Sequence, residues 1–214
     1  MAYVSELFDE LRDFLTDPAD TQVTYALKRL YLNRGIARMW PRIFRLQSVS
    51  ITVASGTYDY ALPVGAADGL ITSVELESGS GYSRFVLYDI MDGDEDTAGV
   101  FRLTTSPDAA SLLGNDIRVK YAAPVSMISS ATYAAAQSEA WTGPDRMMHL
   151  PVLYAMSLIT LRRLDDRLDH TRYTTTQAMN GVSDSDIMQT AAYWMGQFET
   201  ELVDMERPLP IARD

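Results

Sequence analysis

Cysteine is absent from all 214 residues, which excludes a disulfide framework, a thiolate nucleophile and a sulfur-ligated zinc site. Long apolar runs are missing too. The longest, Leu150 to Leu161, is interrupted by Pro151 and falls short of the ~20 residues a membrane-spanning helix requires, so no membrane span is expected. The first ten residues carry Glu6, Asp9 and Glu10 where a secretory signal would have a basic stretch followed by an apolar one; export of the chain alone is not expected. No nucleophile, oxyanion or phosphate-loop motif is present. The most telling absence is local. Between Thr21 and Tyr58 there is no Asp or Glu, yet Lys28, Arg29, Arg34, Arg38, Arg42 and Arg45 all fall there. This segment is six charges positive in a chain whose net charge is −11, so the remainder is −17.

What is present suits a folded globular protein. A hydrophobic content of 47% with 22% charged residues is enough for one sizeable core, or a core with a smaller satellite, and is far from the composition of disorder. The net negative charge argues against a surface built as a whole to grip phosphates.

Spacing divides the chain into helical ends and a strand-rich middle. Val4, Leu7, Phe8, Leu11, Phe14 and Leu15 follow helical periodicity, with Ser5 near the start and Asp17-Pro18 past the end. Val23, Ala26, Leu27, Leu30, Tyr31 and Ala37 continue it in a second, longer helix to Trp40, where Pro41 ends or kinks the run. The period then drops to two. Val49, Ile51 and Val53 alternate with Ser48, Ser50 and Thr52, and Ser55-Gly56 predicts a hairpin into Tyr58 to Leu62. Further strands are expected over Leu70 to Leu76, Tyr82 to Asp89, Val100 to Thr104 and Asn115 to Tyr121, with Ile117, Val119 and Tyr121 on one face of the last.

From Ala122 to Gly143 an Ala, Ser and Thr-rich connection has room for one helical turn. Helical spacing resumes from Leu150 through Leu168, and a fourth helix carries Ile187, Ala191, Trp194, Met195, Phe198, Leu202 and Met205 as one stripe up to Pro208. The expected fold class is α+β: a helical bundle formed by the N- and C-terminal helices, with a central antiparallel β insertion. Expected boundaries are 1–46 for the first helices, 47–122 for the insertion, 123–206 for the connection and last helices, and 207–214 for an extended tail.

Several local features share a pattern: the Arg-rich second helix ending in Met39-Trp40-Pro41, the run Tyr58-Asp59-Tyr60-Ala61-Leu62-Pro63, the strand Asp116-Ile117-Arg118-Val119-Lys120-Tyr121 followed by Ala122-Ala123-Pro124, and a late Trp-bearing helix leading into a Pro-rich tail. With the order of elements, they resemble the head-to-tail adaptor (connector, or head-completion) proteins of tailed bacteriophages. That resemblance implies a structural virion protein at the head-tail interface, assembled in the host cytoplasm into a ring of twelve copies. It implies a portal above, neck or tail proteins below and DNA passing through without specific binding, and it implies no cofactor and no catalysis. A neck stopper or tail-completion protein would share the composition.

Candidate sites follow from the same residues. Arg34, Arg38, Arg42 and Arg45 fall at i, i+4, i+8 and i+11, so on a helix running past Pro41 they form one basic stripe, suited to an acidic neighbouring subunit, or balanced by acids of the same chain, or open to contact with phosphates. Phe198, Leu202, Met205, Pro208, Leu209 and Pro210 are candidates for docking on the portal or a neighbour. Asp92, Asp94, Glu95 and Asp96 begin like a calcium loop, but Thr97 stands where glycine is needed and Leu103 where glutamate is needed, so a solvated loop tip or channel wall is expected. Asp166 and His170 have metal-ligand spacing among alternating arginines that favour plain surface. His149 is expected to be partly buried and hydrogen-bonded. An enzyme of a different class, a cell-wall glycosidase, would have to use a carboxylate pair such as Glu75 with Asp89. A carbohydrate-binding module would need Tyr58, Tyr60, Tyr82 and Tyr88 as an exposed platform.

Overall fold

A computed structural model describes residues 2–16, 20, 22–63, 71–78, 81–86, 88–91, 99–109, 112–173 and 184–205, with the side chains of 77–78, 81–85, 90–91 and 164–173 left aside. The chain divides into two compact units, one built from the helices of both chain ends and the other from residues 44–124.

The helical unit contains α1 (Val4–Leu15), α2 (Tyr25–Met39), α3 (Tyr133–Ala136), α4 (Leu150–Tyr173) and α5 (Asp184–Asp204). Helix α1 begins at Val4, where the Glu6 carboxylate accepts the Tyr3 N–H at 3.0 Å; Ser5, which the sequence places near the start, is buried inside the first turn. Glu6 thereby satisfies one of the orphan donors of the helix end. The apolar stripe Val4, Leu7, Phe8, Leu11 and Leu15 is buried, while Phe14 is half exposed and meets the Trp194 ring edge-on at 5.3 Å. One core takes these residues together with Leu32, Ile36 and Met39 of α2, Leu150, Leu153 and Ile159 of α4, and Phe198 and Leu202 of α5. Deleting any of the large ones should cost several kcal/mol, about 2–5 for an aliphatic side chain.

The connection before α4 has little apolar periodicity, and polar side chains fix it in place. Asn33 donates to the Ile128 carbonyl at 3.1 Å and accepts the Ile128 N–H at 2.7 Å. Glu139 accepts from Ser129 and Ser130 at 2.8–2.9 Å. Burial alone would raise the Glu139 pKa, but those hydrogen bonds outweigh it and the carboxyl stays below its usual range. The single helical turn expected in this stretch is α3, where Thr132 accepts from the Ala135 N–H.

The β unit holds two antiparallel sheets. In one the strand order is β1 (Arg45–Thr52), β7 (Asp116–Ala123), β3 (Ile71–Ser78), β4 (Gly81–Phe85); in the other it is β2 (Asp59–Ala61), β6 (Val100–Leu103), β5 (Tyr88–Met91). Strand β7 is central and pairs Val119 with Val49 on one side and with Val74 on the other. Ile117, Val119 and Tyr121 of β7 are buried as the alternation demands. Val74 of β3, Phe101 and Leu103 of β6, and Ile117 and Val119 of β7 share one core, so the two sheets face each other as a small sandwich.

Two strand expectations are corrected. Ser55-Gly56 does form a turn, with Gly56 at φ 67°, but it does not join a hairpin: β1 pairs with β7 and β2 pairs with β6. Tyr82 to Asp89 is two strands in different sheets instead of one. Among the described residues no helix is long and apolar enough to cross a membrane.

Candidate functional site

Helix α2 contains four cations and no acid, and the structure sorts them into two groups. Its inner face buries Lys28, Tyr31, Leu32, Gly35, Ile36 and Met39. Gly35 is required there because a Cβ would stand 2.9 Å from the Pro151 Cα of α4. Lys28 has no exposed surface, and its ammonium meets Asp20 at 2.7 Å. The same carboxylate receives Arg12 Nε at 2.9 Å and Nη2 at 2.7 Å. The hydrogen bond from Arg12, aided by Lys28 and opposed by burial, holds the Asp20 carboxyl below the usual range. Arg29 donates to the Ser130 carbonyl at 2.9 Å. Lys28 and Arg29 are thus engaged within the chain.

Arg34 and Arg38 project outward. Arg34 lies 5.8 Å from the centre of the Tyr31 ring and makes none of the ion pairs found among the described residues. Arg38 approaches Glu199 of α5 at 3.6 Å with 63% of its side chain exposed. Such a pair contributes little to stability, about 0–1 kcal/mol. Leu30, one turn earlier on the same side, is 45% exposed, and beside it runs a shallow groove of about 350 Å³ lined by Gln22, Thr24, Ala26, Leu27, Leu30 and Arg162.

The four-arginine stripe does not exist as one helical face. Helix α2 stops at Met39 because Trp40 is extended, φ −73° and ψ 140°, ahead of Pro41, the conformation favoured before proline. Arg42 sits in the turn that follows, 3.9 Å from Glu199, with its Nη1 buried and lacking a hydrogen bond among the described residues. Arg45 begins β1 and donates to the Pro124 carbonyl at 3.1 Å. Only Arg34 and Arg38 remain as neighbours on the helix.

The docking candidates also separate. Phe198 is 0% and Leu202 2% exposed, both inside the bundle core, and Tyr154 meets Phe198 edge-on at 5.2 Å. Their partners belong to their own chain, which corrects the expectation that they serve a neighbour. Met205 is half-buried against the same core. Pro208, Leu209 and Pro210 lie outside the described residues, as do Asp92, Asp94, Glu95 and Asp96. Asp165, Asp166, Asp169 and His170 are on α4, with side chains outside the description.

His149 is partly buried and hydrogen-bonded as expected, its Nε2 against the Glu201 carboxylate. Glu10 of α1 joins this group: burial raises its pKa, the His149 charge opposes that and Glu201 adds to it. Nothing in the spacing of Glu10, His149 and Glu201 pointed to their meeting, since it depends on how three helices pack. Among the described residues no three His, Asp or Glu side chains are placed to hold a metal ion.

The catalytic reading of Glu75 finds no support in the geometry. Lys120 donates to its carboxylate at 2.6 Å and Ser73 at 3.1 Å, and the Lys120 hydrogen bond lowers its pKa. A general acid needs the opposite shift. Asp89 lies in the other sheet, paired in register with Arg102. The aromatic platform finds little support: Tyr60 stacks on Phe101 at 5.5 Å and Tyr88 donates to the Ile71 carbonyl at 3.1 Å, Tyr58 is exposed, and the Tyr82 side chain lies outside the described residues.

The family model described as SU10 adaptor protein matches residues 2–213. No curated protein matches the sequence. Among solved structures, a chain of the neck of an empty GTA particle with C6 symmetry is 15% identical with a TM-score of 0.32, covering 91% of this chain and 92% of that one. A chain of the virion of the native gene transfer agent (GTA) particle is 15% identical with a TM-score of 0.33, covering 91% and 92%. A chain of the neck of the native GTA particle with C12 symmetry is 15% identical with a TM-score of 0.31, covering 91% of each.

Proposed function

This chain belongs to the SU10 adaptor protein family, and we propose that it works as a structural head-to-tail adaptor of the virion, one copy in a closed ring of twelve seated between the portal and the neck or tail proteins. In this reading DNA crosses the ring's centre without specific contacts, and the chain performs no catalysis. The observation that carries it is the pair Arg34 and Arg38. They are exposed cations on a helix without acids, in a chain of net charge −11, and their own chain leaves Arg34 without an ionic partner among the described residues. Identical copies joined through unlike faces form rings when the rotation closes, and matched charges fix the register of such contacts. Assembly in the host cytoplasm before joining the virion fits a chain without cysteine.

Mass photometry of the purified protein, alone and with the purified portal of the same virion, tests the proposal. The expected result is a discrete species of twelve chain masses, or a portal complex heavier by that amount. A protein that stays monomeric at every concentration and ignores the portal overturns it.

A further inference from the structure

Resting on the ring reading, we propose that the Leu30, Arg34 and Arg38 face of α2 docks against the Glu6, Asp9 and Asp13 face of α1 on a second copy of this chain. Leu30, Arg34 and Arg38 stand at i, i+4 and i+8, and all three are exposed, so they share one stripe of the helix. Glu6, Asp9 and Asp13 stand at i, i+3 and i+7 of α1 and are likewise exposed. Arg34 and Arg38 are four residues apart, as are Asp9 and Asp13. At 1.5 Å rise per residue both pairs repeat at about 6 Å, so two guanidinium groups can meet two carboxylates in one docking.

The charge balance of α1 selects it over the other acidic surfaces. Helix α1 holds four carboxylates against the single cation Arg12, and Arg12 is turned onto Asp20 by two short hydrogen bonds. Helix α5 has five acids, but Glu199 faces Arg38 and Arg42, Glu201 faces His149, Asp184 and Asp186 lie at its far end with partners of their own, and Asp204 is a single exposed acid at its last residue. Asp13 makes no ion pair among the described residues, and Asp9, 3.5 Å from Arg12 Nη1 and hydrogen-bonded by Tyr133, still keeps about half of its side chain exposed. Leu30, the exposed apolar member of the basic stripe, supplies surface that contact with a neighbour would remove from water.

The test uses two single reversals, Arg34→Glu and Asp13→Lys, at exposed positions whose replacement leaves the core intact. Each variant alone should assemble at about tenfold higher concentration than the wild type at low salt, because like charges then face each other. The equimolar mixture should regain wild-type assembly, since the carboxylate introduced at position 34 of one copy then meets the ammonium introduced at position 13 of the next. The recovery should fade as ionic strength rises. Circular dichroism melting checks that each variant is folded, and Arg34→Gln with Asp13→Asn gives a charge-neutral pair for the same comparison. Variants that assemble like the wild type, or a mixture that does no better than its components, overturn the proposed contact while leaving the ring intact. A wild-type chain that forms no ring with or without portal overturns the ring reading and this contact with it.

Discussion

The helical unit leans on its polar groups more heavily than the β unit does. In the helices, charged and amide side chains hold the structure together from partly or fully buried places: Lys28 and Arg12 converge on Asp20, Asn33 clamps Ile128, and Glu139 gathers Ser129 and Ser130. In the β unit the backbone ladders already satisfy the chain: Asp59 and Arg102 pair at the surface, and Glu75 is the one acid of the described β residues that is buried, held by a half-exposed Lys120. The helical unit should therefore depend on individual polar groups, and the β unit on packing. All three tryptophans, Trp40, Trp141 and Trp194, belong to the helical unit, so tryptophan fluorescence reports that unit alone.

The largest effect should come from Asp20→Asn, which keeps a residue tolerant of the left-handed backbone at φ 53° but removes the carboxylate balancing buried Lys28. Breaking one side of such a pair costs about 4 kcal/mol, read as a lower denaturation midpoint of the tryptophan signal. The acid limb gives a second check. The folded Asp20 pKa is depressed, so its stabilisation is complete above the unfolded value and is lost as pH falls through the folded one. Wild-type stability should decline below about pH 4, and Asp20→Asn should decline less. An unchanged midpoint would show that the helical unit does not rely on this group.

In the β unit the corresponding lesion is apolar. Leu103 of β6 is 1% exposed in the inter-sheet core, and Leu103→Ala should cost about 3 kcal/mol through lost burial and the cavity left behind. Amide exchange across β5 and β6 measures it. A loss below about 1 kcal/mol would mean that the sandwich repacks, and the comparison between the units would fail on this side.

Asn33→Ala tests the helical side at a smaller scale. It leaves the Ile128 N–H and carbonyl without their side-chain partner and should cost about 2 kcal/mol, with faster exchange of the Ile128 amide as the local readout. Replacement by aspartate would keep the acceptor for the Ile128 N–H and lose the donor, so it should fall between wild type and alanine.

How much the sequence revealed follows the same division. Apolar stripes such as Leu7, Phe8 and Leu11, or Ile117, Val119 and Tyr121, declare both period and buried face, so the helices and most strands were legible. Pairing was not: Ser55-Gly56 carries a turn signal, but whether the next strand returns to the same sheet depends on distant residues, here Val100 to Leu103. The arginine stripe misled because Trp40 and Pro41 redirect the chain between Arg38 and Arg42. Phe198 and Leu202 read as docking candidates because a stripe shows which residues share a face and not which partner covers it. The Asp20 and His149 clusters depend on helix packing, which side-chain spacing along one helix does not encode.

The smallest effect should be Asp59→Ala. Asp59 receives Arg102 Nε at 2.6 Å and Nη2 at 2.7 Å, and this hydrogen bond lowers the carboxyl pKa. Geometry alone would rank the pair among the strongest in the protein. Both side chains are more than 40% exposed, however, so water and salt solvate the separated ions nearly as well as the pair does. The β2 and β6 backbones are already joined across this position, where Asp59 and Arg102 are register partners. Chemical denaturation should find no measurable change, and no dependence of the difference on added salt. A clear loss that vanishes at high ionic strength would instead place an ionic support in the β unit, and the contrast with the helices would no longer hold.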